Sequence, residues 1–262
     1  MIYFMNLITI DIGNSTVTGG LWKDRTLEVR KISTKELLSG EERTSWLIKN
    51  IEEFFKELRP PQIPLSGIII SSVVPSLTET FLSIAGHYSD RVLLMSYKLD
   101  TGLTYAIAEP EQTGTDRIAA STAAYQEFRS PLVVVDMGSA TTLTVVARGG
   151  LYLGGAILPG INLMAKALSE GTARLPEIVP GKAPKPIGRE TVSAINSGII
   201  YGTAGAIERL KEEFEKELGY SLLLITTGGN APLVEPYIRY DHRRPYLVLE
   251  GLRLIFERNV HA

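Results

Sequence analysis

The sequence predicts an α/β protein built from two copies of one unit, βββαβαβ, the second closed by a further helix. Three observations lead there. Apolar runs of strand length alternate with segments whose apolar residues recur at helical spacing. The opening stretch LITIDIGNSTVTGGLW returns in outline as LVVVDMGSATTLTVVA at residues 132–147. In both places three short strands precede the first helix.

In the first copy, residues 7–12 read as a buried strand, 16–22 as its partner, and 26–32 as a third strand after the turn Lys23-Asp24-Arg25. Trp46, Leu47, Ile51, Phe54, Phe55 and Leu58 predict a helix over 41–58 that Pro60-Pro61 ends. GIIISSVV is a buried strand closed by Pro75, followed by a helix over 76–87 and a strand over 91–95. A constant offset of 125 carries Asp11 onto Asp136, Gly13 onto Gly138 and Thr16 onto Thr141. It also carries the turn at 23–25 onto Arg148-Gly149-Gly150. The second copy continues with a helix near 162–168, a proline-rich loop over 176–186 and a long helix near 190–218. A strand over 222–225, the turn Gly228-Gly229, and a last strand and helix within 246–258 complete it. The expected domains are 1–117 and 118–262, packed around a central cleft with the two Asp-Gly turns facing each other.

The chain has 262 residues, 44% hydrophobic and 21% charged, with net charge -2, enough for a sizeable core. That near-neutral balance predicts no nucleic-acid or membrane-surface partner through long-range charge. The segment ERLKEEFEKELG alternates signs at helical spacing, as a solvated helix face does. With no cysteine, disulfides, zinc thiolates and thiol catalysis are excluded. The apolar start runs into Asp11 without a basic leader and reads as a first strand, not a signal peptide. The apolar run over 149–165 is broken by glycines and Pro159, so it predicts no membrane span. His87, His242 and His261 have no partners at ligand or triad spacing.

The opening turn carries more hydrogen-bonding capacity than a hairpin requires. Gly13 lets a ligand approach the main chain, Asn14, Ser15 and Thr16 add donors suited to phosphate oxygens, and Asp11 suits a cation or its waters. Two such turns fit phosphoryl transfer, where the protein mainly positions groups and neutralises charge. A plainer role is open to each: Asp11 and Asp136 as caps of tight turns, Asp116 as the N-cap of the helical pattern that follows it. Thr191 would likewise only start the long helix, and Gly228-Gly229 would be a bare strand-to-helix turn. No Walker-A sequence and no GxGxxG fingerprint is present.

The paired turns resemble those of the superfamily that unites acetate and sugar kinases, heat-shock chaperones and actin. Within it, the sequence is most similar to type III pantothenate kinases. The residues that carry this are DIGNST, ISSVVP, GTDR, DMGSATT, GGAILPGI, TVSAINSGIIYG and TTGGNA, in the family's order over nearly the whole chain. The resemblance implies an actin-like (ribonuclease H-like) two-domain fold and transfer of the ATP γ-phosphate to the 4′-hydroxyl of pantothenate, the first step of coenzyme A synthesis. It implies that Asp11, Ile12, Gly13, Asn14, Ser15, Thr16, Val17 and Thr18 form the ATP phosphate loop, with Asp11 also holding Mg2+ through water. Ser139, Gly228 and Gly229 would complete the ATP site. Gly114, Thr115, Asp116, Arg117 and Thr191 would contact pantothenate, with Asp116 as the catalytic proton acceptor. Asp136 would bind the monovalent cation, K+ or NH4+. A cytoplasmic homodimer is implied as well. The sequence departs from the family at Ser15, where Thr is usual, at Thr18, near which a lysine or valine is common, and at Ile107, where a tyrosine is usual; Tyr105 lies two positions earlier. The alternatives are another small-molecule kinase of the same superfamily and a non-enzymatic accessory factor in gene regulation.

Overall fold

The computed structural model describes residues 6–39, 43–59, 64–182 and 185–260. In chain order the elements are β1 (Asn6–Ile12), β2 (Thr16–Lys23), β3 (Thr26–Ser33), α1 (Thr34–Leu38), α2 (Arg43–Leu58), β4 (Gly67–Ser72), α3 (Pro75–Ala85) and β5 (Val92–Leu94). Then come β6 (Thr104–Tyr105), α4 (Thr115–Phe128), β7 (Leu132–Met137), β8 (Ala140–Ala147), β9 (Leu151–Pro159) and α5 (Ile161–Gly171). The chain closes with α6 (Thr191–Leu218), β10 (Leu223–Thr227), α7 (Ala231–Val234), β11 (His242–Arg243) and α8 (Leu247–Val260).

Two compact units result. The first holds the described residues up to Gly102 together with Glu109–Ala123 and the chain from Val248 on; the second holds Leu103–Ala108 and Ala124–Leu247. The sequence predicts a single division at 117/118. The difference arises because the last helix returns to the first sheet.

In the first unit the strands lie in the order β3-β2-β1-β4-β5. Alternation along β1 sends Ile8, Ile10 and Ile12 to one face, where they pack with Val17, Phe54, Phe55, Leu77 and Phe81 under α2 and α3. Phe54 meets both Phe55 and Phe81 edge to face, at 6.3 and 6.2 Å between ring centres. The opposite face meets α8. A side chain at Gly67 would overlap the Phe256 ring, and one at Gly20 would press on Leu249. Helix α1, absent from the sequence expectation, is started by Ser33, whose Oγ accepts from the Glu36 amide at 3.3 Å. The expected helix start at residues 41–42 and its stop at Pro60-Pro61 lie outside the described residues.

The second unit repeats this sheet. Its order is β11-β10-β7-β8-β9-β6, so β7, β8, β9, β10 and β11 take the places of β1, β2, β3, β4 and β5, with β6 added beside β9. Val133, Val135, Leu143 and Val145 face α6 through Ile195, Ile199, Ile200 and Ile207. The charged stretch near the end of α6 is a solvated face, with Arg209 paired to Glu212 and Glu213, and Lys211 to Glu215. Two expectations are corrected. The last strand is the two-residue β11, ahead of Tyr246, and the residues from Leu247 on are helical. The constant offset also fails after the turn. Asp11 pairs with Thr18, but Asp136 pairs with Thr142, so the second turn is one residue shorter and Thr141 stands at the place of Val17, not of Thr16.

Helix α8 crosses α4 at contact distance: a Cβ at Gly251 would lie 1.8 Å from the Ala119 carbonyl oxygen. Main chain cannot yield as a flexible side chain does, so overpacking here separates the helices. Gly251→Ala is expected to lower the unfolding free energy by about 1–3 kcal/mol in chemical denaturation. An unchanged midpoint and slope would show that the two helices have room to spare.

Candidate active site

Residues paired across neighbouring strands stand on one face of the sheet. Pairing in the first unit lines up Lys31 on β3, Thr18 on β2, Asp11 on β1 and Ser71 on β4. Pairing in the second lines up Ile157, Thr142, Asp136 and Thr227 in the same order of strands. Each aspartate therefore ends the first strand of its sheet between two hydroxyl side chains. The hydroxyl residue on the crossover strand is buried in both cases, Ser71 at 0% exposure and Thr227 at 3%.

The turn after Asp11 is held from outside. Thr34 donates its hydroxyl to Gly13 O at 2.7 Å and its amide to Ser15 O at 3.1 Å, and the Gly13 amide donates to Thr16 O at 3.1 Å. Asn14 and Ser15 are exposed. Ile12 and Val17 are fully buried in the core, so whatever they offer a ligand is main chain. Lys31 is exposed opposite Thr18, a cation one strand away from where the family pattern has one in sequence.

Around Asp136 the turn is built with glycine and Asn230. The Asn230 amide donates to Met137 O at 2.9 Å, and its side-chain Nδ2 to Gly138 O at 3.1 Å. Gly228 has φ of 95°, in the left-handed region, and a Cβ there would lie 2.5 Å from Asp136 Oδ1. Gly229 faces open space, and Ser139 is exposed. Beneath this turn Thr226 donates to the buried Glu235 at 2.7 Å, and Glu235 also pairs with Arg243. The Asp136 carboxylate, an oxygen ligand beside a space that Gly228 keeps free of a Cβ atom, is of the kind that suits a hard cation. Among the described residues no three acidic or histidine side chains cluster as metal ligands. A magnesium ion brought by nucleotide phosphates needs only one or two carboxylates, and Asp11 fits that use.

Asp116 is in the first turn of α4, not at its cap. Its Oδ1 accepts the Arg117 amide at 2.8 Å and lies so close over Gly114 that a Cβ there would be 2.4 Å away. Burial pushes its carboxyl above the usual carboxylate range, against the amides of Arg117 and Asp116 and the Arg117 guanidinium, which pull it down. Thr115 shares a 2.9 Å hydrogen bond with Ser71. The structure thus gathers Asp11, Thr18, Gly114, Thr115, Asp116 and Arg117 in the first unit, and Asp136, Ser139, Gly228 and Gly229 in the second.

Thr191 is the first residue of α6, in the second unit. It lines an apolar cavity of about 930 Å³ with Pro159, Leu163, Met164, Ile195 and Ile199. Gly160 links this cavity to the Asp136 turn, since a Cβ on it would lie 2.3 Å from Ser139 O. Tyr105 packs its ring on the buried Tyr152 at 5.7 Å, and Ile107 sits against Gly154. Ser71, Thr142, Thr227 and Asn230 are not among the residues expected from sequence. All four fall inside the quoted family stretches; strand register shows what the first three stand beside, and hydrogen bonding shows it for Asn230.

A family model for type III pantothenate kinase matches residues 7–213. The chain belongs to the type III pantothenate kinase family. A type III pantothenate kinase of Roseiflexus sp. (strain RS-1) is 38% identical over 256 residues, 97% of this chain and 99% of that protein. Among solved structures, a Campylobacter jejuni protein assigned to the Baf family of transcriptional activators superposes with a TM-score of 0.62 at 22% identity, over 97% of this chain and all of that one. A Cytophaga hutchinsonii protein described as a sugar kinase superposes with a TM-score of 0.50 at 13% identity, over 95% of this chain and 99% of that one. The fold is the actin-like fold of sugar kinases.

In this pantothenate kinase family member, the raised pKa of Asp116 has a defined sign for stability. Folding disfavours the charged carboxylate. Below the ordinary aspartate pKa of about 3.9 both states are protonated and nothing is lost. Above it the folded state carries a penalty, complete once pH exceeds the raised folded-state value. Asp116→Asn removes that penalty and keeps the shape. Its melting temperature is expected to equal or exceed that of wild type at pH 7, with the advantage shrinking toward pH 4. A variant less stable at pH 7 by a margin that acid does not change would contradict the burial account.

Proposed function

We propose that this chain phosphorylates pantothenate on its 4′-hydroxyl with ATP, giving 4′-phosphopantothenate, the first step of coenzyme A synthesis. The observation that carries this is the half-buried Asp116 carboxylate at the start of α4, in the same unit as the Asp11 turn, in a chain of this family. The main chain of residues 11–18 and the hydroxyls of Ser15, Thr16 and Thr18 receive the phosphates, and Ser139, Gly228 and Gly229 the rest of ATP. Asp11 holds magnesium through water. Asp136, with the carbonyls beside it, holds potassium or ammonium. These cations supply neutralisation of phosphate charge.

Pantothenate is bound by Gly114, Thr115, Arg117 and Thr191. The planar guanidinium of Arg117 suits the pantothenate carboxylate. The substrate oxygen forms its bond to the γ-phosphorus as the bond to ADP breaks, and the hydroxyl proton passes to Asp116. A carboxylate suffices because the proton moves late and the charge sits on the transferring group. The direct test is incubation with ATP, magnesium, potassium and pantothenate, followed by phosphorus NMR of the product. Absence of the phosphomonoester signal while ADP forms with another alcohol would assign a different kinase activity.

Asp116→Asn is expected to bind ATP but to lose at least about a hundredfold in kcat, in the range of general-base removal. Steady-state kinetics with a near wild-type kcat would remove Asp116 from the chemistry. The raised pKa also predicts that the acid limb of kcat/KM lies above the pH of an ordinary aspartate. Full wild-type activity in buffer with sodium as the sole monovalent cation would overturn the role of Asp136.

The reading includes a cytoplasmic homodimer. No helix of the described residues is long and apolar enough to cross a membrane. Leu163, which lines the apolar cavity, is 52% exposed, and Val192 is exposed at 48%. On α6, Gly198, Gly202 and Gly205 have open space where a Cβ would stand. A second copy covering this face would bury apolar surface that a monomer leaves in water. Sedimentation at micromolar concentration is expected to show a dimer; a fully active monomer would sink this assembly.

A further inference from the structure

We infer that Ser71 is a positioning residue for Asp116, acting through Thr115; this rests on the assignment of Asp116 as proton acceptor. Helix α4 begins after Gly114, which has no side chain to cap it. What ties the helix start to the sheet is the hydroxyl of Thr115, 2.9 Å from Ser71 Oγ. The second contact of that hydroxyl, to Ser72 O, is 3.4 Å long, too long for a good O–H···O bond. The Ser72 hydroxyl is used apart from Thr115: its Oγ accepts from Thr78 Oγ1 at 2.8 Å and from the Val74 amide at 3.2 Å.

Ser71 is fully buried and pairs in register with Asp11 on the parallel neighbour strand. Asp116 follows Thr115 directly and has its carboxylate folded over Gly114, so its place depends on how that first turn is set. One part-buried hydroxyl pair therefore fixes the proton acceptor relative to the row that carries Asp11. Phosphoryl transfer is sensitive to such placement, and a shift of about 1 Å costs on the order of a hundredfold in rate. Neither hydroxyl needs to touch the reacting atoms for this to hold.

The test is a double-mutant cycle with Ser71→Ala and Thr115→Val in the full-length enzyme, read as kcat and as KM for ATP. Ser71→Ala is expected to lose about 10- to 100-fold in kcat with KM for ATP within about twofold. Thr115→Val is expected to lose a similar factor, the double variant no more than the worse single one, and Thr115→Ser to return to within about threefold of wild type. Losses that multiply in the double variant would show two independent roles and overturn the proposal. So would a wild-type kcat for Ser71→Ala. If Ser71→Ala does not fold, the contrast between Thr115→Val and Thr115→Ser decides: equal kcat in the two overturns the proposal. Asp116→Asn is assayed in parallel. If it keeps its kcat, the proton-acceptor assignment fails. If it loses its kcat while Ser71→Ala does not, the inference about Ser71 alone fails.

Discussion

The constraint on which this structure depends is a carboxylate placed at the end of the first strand of each sheet. Charge in such a position is costly unless it is hydrogen-bonded or paired. Both sheets surround the carboxylate alike. The aspartate is flanked in register by a hydroxyl from the next antiparallel strand and by one from the parallel crossover strand, Thr18 and Ser71 for Asp11, Thr142 and Thr227 for Asp136. Everything beyond the strand ends then has to leave room. Glycines do so at Gly13, Gly138 and Gly228, and the turns are pinned by residues from elsewhere, Thr34 in one unit and Asn230 in the other.

The two rows are not equivalent in their surroundings. The first turn is one residue longer and exposes Asn14 and Ser15, a shape open to phosphate oxygens. The second is shorter and has Gly228 packed directly against the carboxylate, a more closed shape. At the outer strand the first row ends in Lys31 and the second in the exposed Ile157. Asp116 is a third case. Helix amides and the Arg117 guanidinium partly satisfy it, while burial pushes its pKa up.

Much of this was legible in the sequence because the repeat is written twice. Asp-x-Gly after an apolar run, then hydroxyls, then another strand, fixes topology as well as turn. What was not legible depends on register. A single-residue difference in turn length shifts every partner on the second strand, so Thr141 looks like the counterpart of Thr16 although Thr142 is the residue beside Asp136. Ser71 and Thr227 reach their aspartates over crossovers of some sixty and ninety residues, which no local pattern reveals. The short β11 and α1 carry too few residues for a periodic signal, and the apolar pattern around Tyr246 suggested a strand where α8 begins. The return of α8 to the first sheet is a packing decision, made by Gly251, Gly67 and Phe256 rather than by chain order.

The central claim is that the two strand-end aspartates hold different cations for one reaction. It is tested most directly by measuring pantothenate phosphorylation as a function of magnesium and of potassium in Asp11→Asn and Asp136→Asn. The account predicts a split. Asp11→Asn raises the magnesium concentration for half-maximal rate and leaves the potassium dependence in place, whereas Asp136→Asn does the reverse. Two variants with the same altered dependence on both ions, or with wild-type dependence on each, would contradict it.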